Sequence, residues 1–290
     1  MKEHLKTFLK TLRLYHPLQS AYRSTLTGIR NQYLRLSYSK YKVTPPPIPP
    51  AVPPPFQCNF CGAAYTKFVP EYPGPDIAAA INNNNVIAGF GQNVYCPNCL
   101  SKNRERLIKA VLQNYVSIDR KKILHFSPER HLFLFLKNIA AVTTVDITPG
   151  FYRHIDKNIR YADATCLPFP DGAFDILIAN HILEHIPQDQ KAMTEMFRVL
   201  NDKGLSILQV PYSETLGSTL EEPHINDPVR QAALYGQKDH VRIYAKTDYI
   251  QRLQKAGFQV NVLTPETLSS FRIHAIQENE SVFLCSKKPL

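Results

Sequence analysis

The strongest constraint on this chain is an alternation in its second half. Short apolar runs rich in β-formers, from Ile123 to Phe126, Val142 to Ile147, Ile159 to Ala164, Phe174 to Asn180, Gly204 to Val210, Gln259 to Leu263 and Ser281 to Ser286, are separated by segments of helical periodicity. Such alternation demands βαβ units with right-handed crossovers, hence an α/β sandwich in which helices cover both faces of a seven-stranded, mostly parallel sheet. With 290 residues, 44% of them hydrophobic, the chain can build one such domain and a small satellite.

Charge and composition divide the rest. Residues 1–43 hold nine Lys/Arg against one acid, Glu3, and so carry +8 of the net +10. Any attraction to nucleic acid or to an anionic membrane surface therefore belongs to this arm, while the main body is nearly neutral. Within the arm, Leu5, Phe8, Leu9 and Leu12 follow helical spacing, which suits a helix on a membrane surface or one docked on its own domain. An acid-poor, Arg- and Ser-containing start also suits an organelle transit peptide, and a plain solvated arm is the simplest alternative. Eight prolines between Pro45 and Pro55 predict a stiff polyproline spacer over 44–55. A module over 56–100, a connecting amphipathic helix over 101–121 and a domain over 122–290 with an insertion at 212–245 complete the expected organisation. No apolar run is long enough to span a membrane, so a cytoplasmic protein, peripheral to a membrane at most, is expected.

Cys58-x-x-Cys61 and Cys96-x-x-Cys99 form two knuckles, and four thiolates complete a closed tetrahedron around one Zn²⁺. A closed site has no open position for water, so its role is structural, in a zinc-ribbon-like module with little core of its own. A redox dithiol and unpaired structural cysteines are the alternatives. Cys166 and Cys285 stand apart, both in apparent strands.

The order Tyr161-Ala-Asp-Ala-Thr-Cys-Leu-Pro-Phe-Pro-Asp-Gly-Ala-Phe-Asp-Ile-Leu-Ile-Ala-Asn-His-Ile-Leu-Glu-His185, then Arg198-Val-Leu-Asn-Asp-Lys-Gly204, then Leu253-Gln-Lys-Ala-Gly-Phe258, resembles the class I S-adenosylmethionine-dependent methyltransferases of the type 11 group. The resemblance implies a Rossmann-like three-layer fold with strand order 3-2-1-4-5-7-6 and S-adenosyl-L-methionine as cofactor. It places Asp146 on the ribose hydroxyls and Asp163 on the adenine amino group, with Ala164 and Asn180 beside them. A carboxylate at the carboxyl edge of a parallel strand also faces the ligand crevice on physical grounds, although a strand-end aspartate can instead cap a following helix. The first turn departs from the family pattern: Leu124-His-Phe-Ser-Pro-Glu-Arg130 contains no glycine. Ser127 and Glu129 stand in for it, the latter facing the cationic methionine end. The chain is also similar to a narrower, little-characterised group with the same cysteine module, a similar turn, an SxxRxR-like helix start at Ser101, Arg104 and Arg106, and the block from Asp227 to Tyr244.

His181-x-x-Glu184-His185 matches a metalloprotease pattern, in which two histidines one helical turn apart hold the metal, but its place after a buried strand suits a methyltransferase loop, with His185 lining an acceptor pocket. In the insertion, His240 is the candidate general base, oriented by Asp239; Arg242 grips an anionic group, and Glu222 and Tyr244 complete an acceptor site. A structural Asp-His-Arg network is the alternative. The expected activity is methyl transfer to an O or N atom of a small molecule or glycan. An RNA methyltransferase using the basic arm and its tyrosines, and a binding scaffold on a retired methyltransferase fold, are the other readings.

Overall fold

The structure, a computed structural model, describes residues 32–43 and 56–289, so most of the basic arm and the polyproline segment lie outside it. β1 (Lys42–Val43), β2 (Phe56–Gln57) and β3 (Ala64–Tyr65) make a small antiparallel sheet in the order β1-β3-β2. β4 (Val69–Glu71) pairs with β6 (Gly91–Tyr95), with α1 (Ala78–Asn83) and β5 (Val86–Ile87) between them in sequence. There follow α2 (Asn103–Tyr115), β7 (Lys122–Phe126), α3 (Arg130–Leu136), β8 (Ala141–Asp146), β9 (Arg160–Tyr161), β10 (Phe174–Asn180), α4 (Asp189–Val199) and β11 (Leu200–Gln209). The insertion carries β12 (Tyr212–Ser213), β13 (Leu220–Glu221), α5 (Pro228–Tyr235) and β14 (Arg242–Ala245). The chain ends through α6 (Lys246–Lys255), β15 (Gln259–Leu263) and β16 (Val282–Ser286).

The large sheet runs β9-β8-β7-β10-β11-β16-β15, which is 3-2-1-4-5-7-6 when its strands are numbered along the chain. β7 to β11 pair in parallel and β16 is antiparallel to both neighbours. Strand side chains alternate between faces, so consecutive residues feed opposite layers. Ile123, Ile176, Ile178 and Ile207 pack with Leu107, Val111, Leu132 and Leu136 on one side. Leu124, Leu177, Ala179 and Leu208 pack with Met193, Met196, Tyr249 and Leu253 on the other. Each fully buried aliphatic side chain contributes roughly 1.5–3 kcal/mol, which is why these strands are apolar on both faces.

α2 is packed on both sides: Asn103 and every residue from Glu105 to Leu112 are buried, because one side meets the sheet and the other the cysteine module. Cys285 lies in β16, but Cys166 is exposed in a turn closed on Asp163. The module also shares a sheet with the insertion, in the order β13-β14-β12-β5, Tyr212 pairing with Ile87. α5 secures that contact. Asp227 caps its first turn, accepting from the Arg230 N–H, with Pro228 at the first helical position. Gly236 ends the helix at φ +82°, where an added Cβ would sit 2.6 Å from Ile81 of α1.

Candidate functional site

A cavity of about 580 Å³ opens at the carboxyl edge of β7, β8 and β10, where parallel sheets of this kind bind ligands. Its wall includes Ser127, Glu129, Asp146, Asp163, Ala164 and Asn180, the six residues named from sequence for a cofactor.

The glycine-free turn adopts a glycine's conformation. Ser127 has φ +42°. A left-handed backbone costs a residue with a Cβ on the order of 1 kcal/mol, and such strain gathers at functional sites. The turn is fixed by the Ser127 N–H donating to the Val145 carbonyl at 2.9 Å and by its hydroxyl donating to Asp146 Oδ2 at 2.5 Å. Asp146 Oδ1 accepts from the Thr148 N–H, so this carboxylate does brace the turn after β8, yet each oxygen keeps a further lone pair and the residue lines the cavity. Asp163 is held on one side only, its Oδ1 accepting from the Thr165 N–H and hydroxyl at 2.8 Å.

Glu129 is gripped by β7 and β10. His125 Nε2 lies 3.0 Å from its Oε2, and Asn180 Nδ2 donates to Oε1 at 3.1 Å. That bond leaves Asn180 Oδ1 buried with no hydrogen-bond partner. Arg104, from the first turn of α2, enters the same wall; its Nε is buried, makes no hydrogen bond and forms an ion pair with Glu129 Oε1 at 3.8 Å. In the sequence Arg104 stands out only as part of a helix start. No periodicity could assign it to a crevice formed by strands that follow it by some twenty to eighty residues. Tyr152, Thr165 and His181 also line the wall and were not singled out for it.

The acceptor residues need correction. His185 and Asp239 line the cavity, but Asp239 does not orient His240. His240 Nδ1 faces the Tyr235 carbonyl at 3.2 Å, and since a carbonyl only accepts, that nitrogen carries the proton. Asp239 is exposed, accepts from Gln237 and faces His185. His240 is buried, and desolvation holds its pKa down to about 4. Arg242 is buried and four of its five N–H donors are committed inside the protein: it donates to the Leu183, Ile186 and Pro187 carbonyls and to Glu221. Tyr244 is 0% exposed and donates to Asp189 Oδ2 at 2.8 Å. Glu222 lies outside the cavity wall, exposed, its N–H donating to the Tyr235 hydroxyl. Arg242 and Tyr244 thus clamp the Leu183–His185 turn, and Asp239, His240 and Arg242 do not form one Asp-His-Arg network. That turn is 3-10 and His181 has φ +55°, so the metalloprotease helix does not form.

The two cysteine knuckles meet. Cys58 Sγ lies 3.7 Å from Cys99 Sγ and Cys61 Sγ 3.7 Å from Cys96 Sγ, all four within 4.8 Å. Zn–S bonds of about 2.3 Å in a tetrahedron set sulfurs about 3.8 Å apart, so the thiols fit that ion. The residue after each pair is left-handed, Gly62 at φ +71° and Leu100 at φ +64°. Arg106, fully buried, ties the cluster to the rest by donating to the carbonyls of Ser101, Asn93, Val94, His274 and Ala275.

A family profile described as a methyltransferase domain matches residues 128–208. An uncharacterized methyltransferase, YcgJ, of Bacillus subtilis is 26% identical over 119 residues, 40% of this chain and 43% of that protein. One from Mycobacterium sp. strain KMS is 38% identical over 56 residues, 19% of this chain and 21% of its own length. The chain thus spans less than half the length of the curated relatives it matches. Among solved structures, that of YcgJ from Bacillus subtilis covers 60% of this chain and 79% of its own at 18% identity, with a TM-score of 0.40. Strand order, motif order and the family profile together identify in this chain a methyltransferase domain of the class I S-adenosylmethionine-dependent fold.

Proposed function

We propose that the protein transfers a methyl group from S-adenosyl-L-methionine to an O or N atom of a small molecule or glycan. The observation that carries this reading is the convergence of Ser127, Glu129, Asp146, Asp163 and Asn180 on one cavity at the carboxyl edge of the sheet. The cofactor supplies a methyl group on a sulfonium. Asp146 would hold the ribose hydroxyls, and Asp163 would offer its unengaged oxygen to the adenine amino group. Glu129 and the unpartnered Asn180 Oδ1 would take the methionine ammonium and Arg104 its carboxylate, each half of the zwitterion satisfying a group already buried there.

In-line displacement asks the protein mainly for position, alignment and exclusion of water. His181 and His185 are the imidazoles that reach the acceptor end, with Ile182, Ile186 and Pro187 as its apolar wall. The Nε2 of His240 faces Glu184 instead, so His240 acts through that carboxylate and the loop it supports. The near-neutral charge outside the arm favours a small acceptor over a polyanion. Zn²⁺ held by Cys58, Cys61, Cys96 and Cys99 is structural, joining the knuckles to the helix that bears Arg104. Among the described residues no helix is long and apolar enough to cross a membrane.

The test is transfer of labelled methyl from the cofactor to a panel of hydroxylated and aminated small molecules, oligosaccharides and RNA. Label on a small molecule or oligosaccharide supports the reading; label on RNA alone overturns it.

A further inference from the structure

Beneath the acceptor end, three imidazoles converge on one carboxylate. Glu184 is 0% exposed and neither of its carboxyl oxygens has a hydrogen-bond partner. Its Oε1 lies 3.6 Å from His181 Nδ1, 4.0 Å from His185 Nε2 and 3.9 Å from His240 Nε2. Two of these rings are fixed from behind. His185 Nδ1 faces the Asp239 carbonyl and His240 Nδ1 the Tyr235 carbonyl, each at 3.2 Å. Both Nδ1 atoms therefore carry the proton, and both Nε2 atoms turn a lone pair towards a buried carboxylate. Lone pairs facing a buried carboxylate are unfavourable unless a cation or a proton lies among them.

We propose that Glu184, His185 and His240 bind a divalent transition-metal cation of the zinc class, separate from the four-cysteine cluster. Two imidazoles and one carboxylate are a donor set such ions accept, and a carbonyl behind each ligating imidazole is the support that fixes ring orientation in metal sites. The three ligand atoms lie within 4.8 Å of one another. Bonds of about 2.0–2.2 Å to a central ion follow from side-chain shifts of roughly half an ångström. The ligand set is not the one that the spacing of His181, Glu184 and His185 suggests. Glu184 is itself a ligand here, and the second histidine comes from the insertion, brought over by the Val241 N–H donating to the Glu184 carbonyl at 2.9 Å. Because His185 lines the cavity, a remaining coordination position faces the acceptor end and suits an oxygen of the acceptor or a water.

The competitor is a proton on Glu184 shared with the imidazoles. The experiment titrates the full, zinc-replete protein with Co²⁺ and follows visible absorption and bound metal by atomic emission after dialysis. Cobalt on nitrogen and oxygen ligands gives weak d–d bands, whereas exchange into the cysteines announces itself by intense thiolate charge-transfer bands. Expected is one further saturable equivalent per chain with d–d bands alone, weakened at least tenfold in Glu184→Gln and in His240→Ala. His185→Asn, at a half-buried position that excavates no core, gives the same reading if either of those variants fails to fold. Absence of a further equivalent in the wild type, or one that survives these substitutions unchanged, would overturn the site and assign Glu184 to a proton.

Discussion

The hydroxyl of Ser127 donates to Asp146 Oδ2 at 2.5 Å, joining the ends of the first two strands of the sheet across the floor of the cavity. One bond thereby explains how a turn without glycine keeps a cofactor-type geometry: the left-handed strain at Ser127 is offset where its side chain orders the acid that would hold the ribose. Ser127→Gly should relieve the strain and release Asp146, giving unchanged or slightly raised stability with cofactor affinity reduced severalfold. Ser127→Ala keeps the strain without the bond and should be less stable than the glycine variant by about 1 kcal/mol. Denaturant unfolding and calorimetric titration of both variants check this.

Arg104 couples the cysteine module to the cavity. The knuckles pack on α2 through Arg106, and Arg104 leaves the same helix two residues earlier. Arg104→Ala should weaken cofactor binding at least tenfold with little change in melting temperature. Chelation of the structural metal should lower both together. An Arg104→Ala protein that binds as tightly as wild type would remove the residue from the site.

Arg242 clamps the turn that carries His185. Removing it strands the Ile186 and Pro187 carbonyls, while Leu183 keeps the Ile186 N–H and the Tyr244 hydroxyl and Glu221 keeps Arg252, so Arg242→Ala should cost about 2–5 kcal/mol, measured by denaturant unfolding. A variant of wild-type stability with a raised KM for the acceptor alone would restore the sequence-based assignment.

Glu280 supplies a pH dependence. It is buried, accepts from Gln209 through Oε1 and leaves Oε2 without a partner; burial pushes its pKa up to about 7, against smaller opposing effects of the Gln209 bond and the Arg104 charge. The folded state therefore holds a proton that the unfolded chain releases near pH 4.5. Stability from this group is present below that pH and is lost as pH rises through about 7. Glu280→Gln should remove a loss on the order of 2–3 kcal/mol between pH 5 and 8, so the wild-type and variant stability curves diverge as pH rises.

Strand order, the acids at the carboxyl edge of the sheet and the four cysteines are legible in the sequence because each depends on local pattern: strand alternation, an acid ending a strand, cysteine pairs with two residues between them. The acceptor side was not. Arg242 and Tyr244 are chemically rich but buried, and only tertiary contact with the Leu183–His185 turn reveals that their polar atoms are consumed by the backbone. His240 was paired with its sequence neighbour Asp239, whereas its hydrogen-bond partner is the Tyr235 carbonyl at the end of α5. Arg104 was passed over as a site residue for a related reason: it precedes every strand of the crevice it enters.

The central claim is that the cavity holds S-adenosylmethionine through Asp146 and Asp163. The most direct measurement is calorimetric titration of the zinc-replete protein with S-adenosylmethionine and S-adenosylhomocysteine, comparing wild type with Asp146→Ala and Asp163→Ala. The account predicts micromolar binding in the wild type and at least a tenfold loss in each folded variant. No binding by a folded wild-type protein, or equal binding by all three proteins, would contradict it.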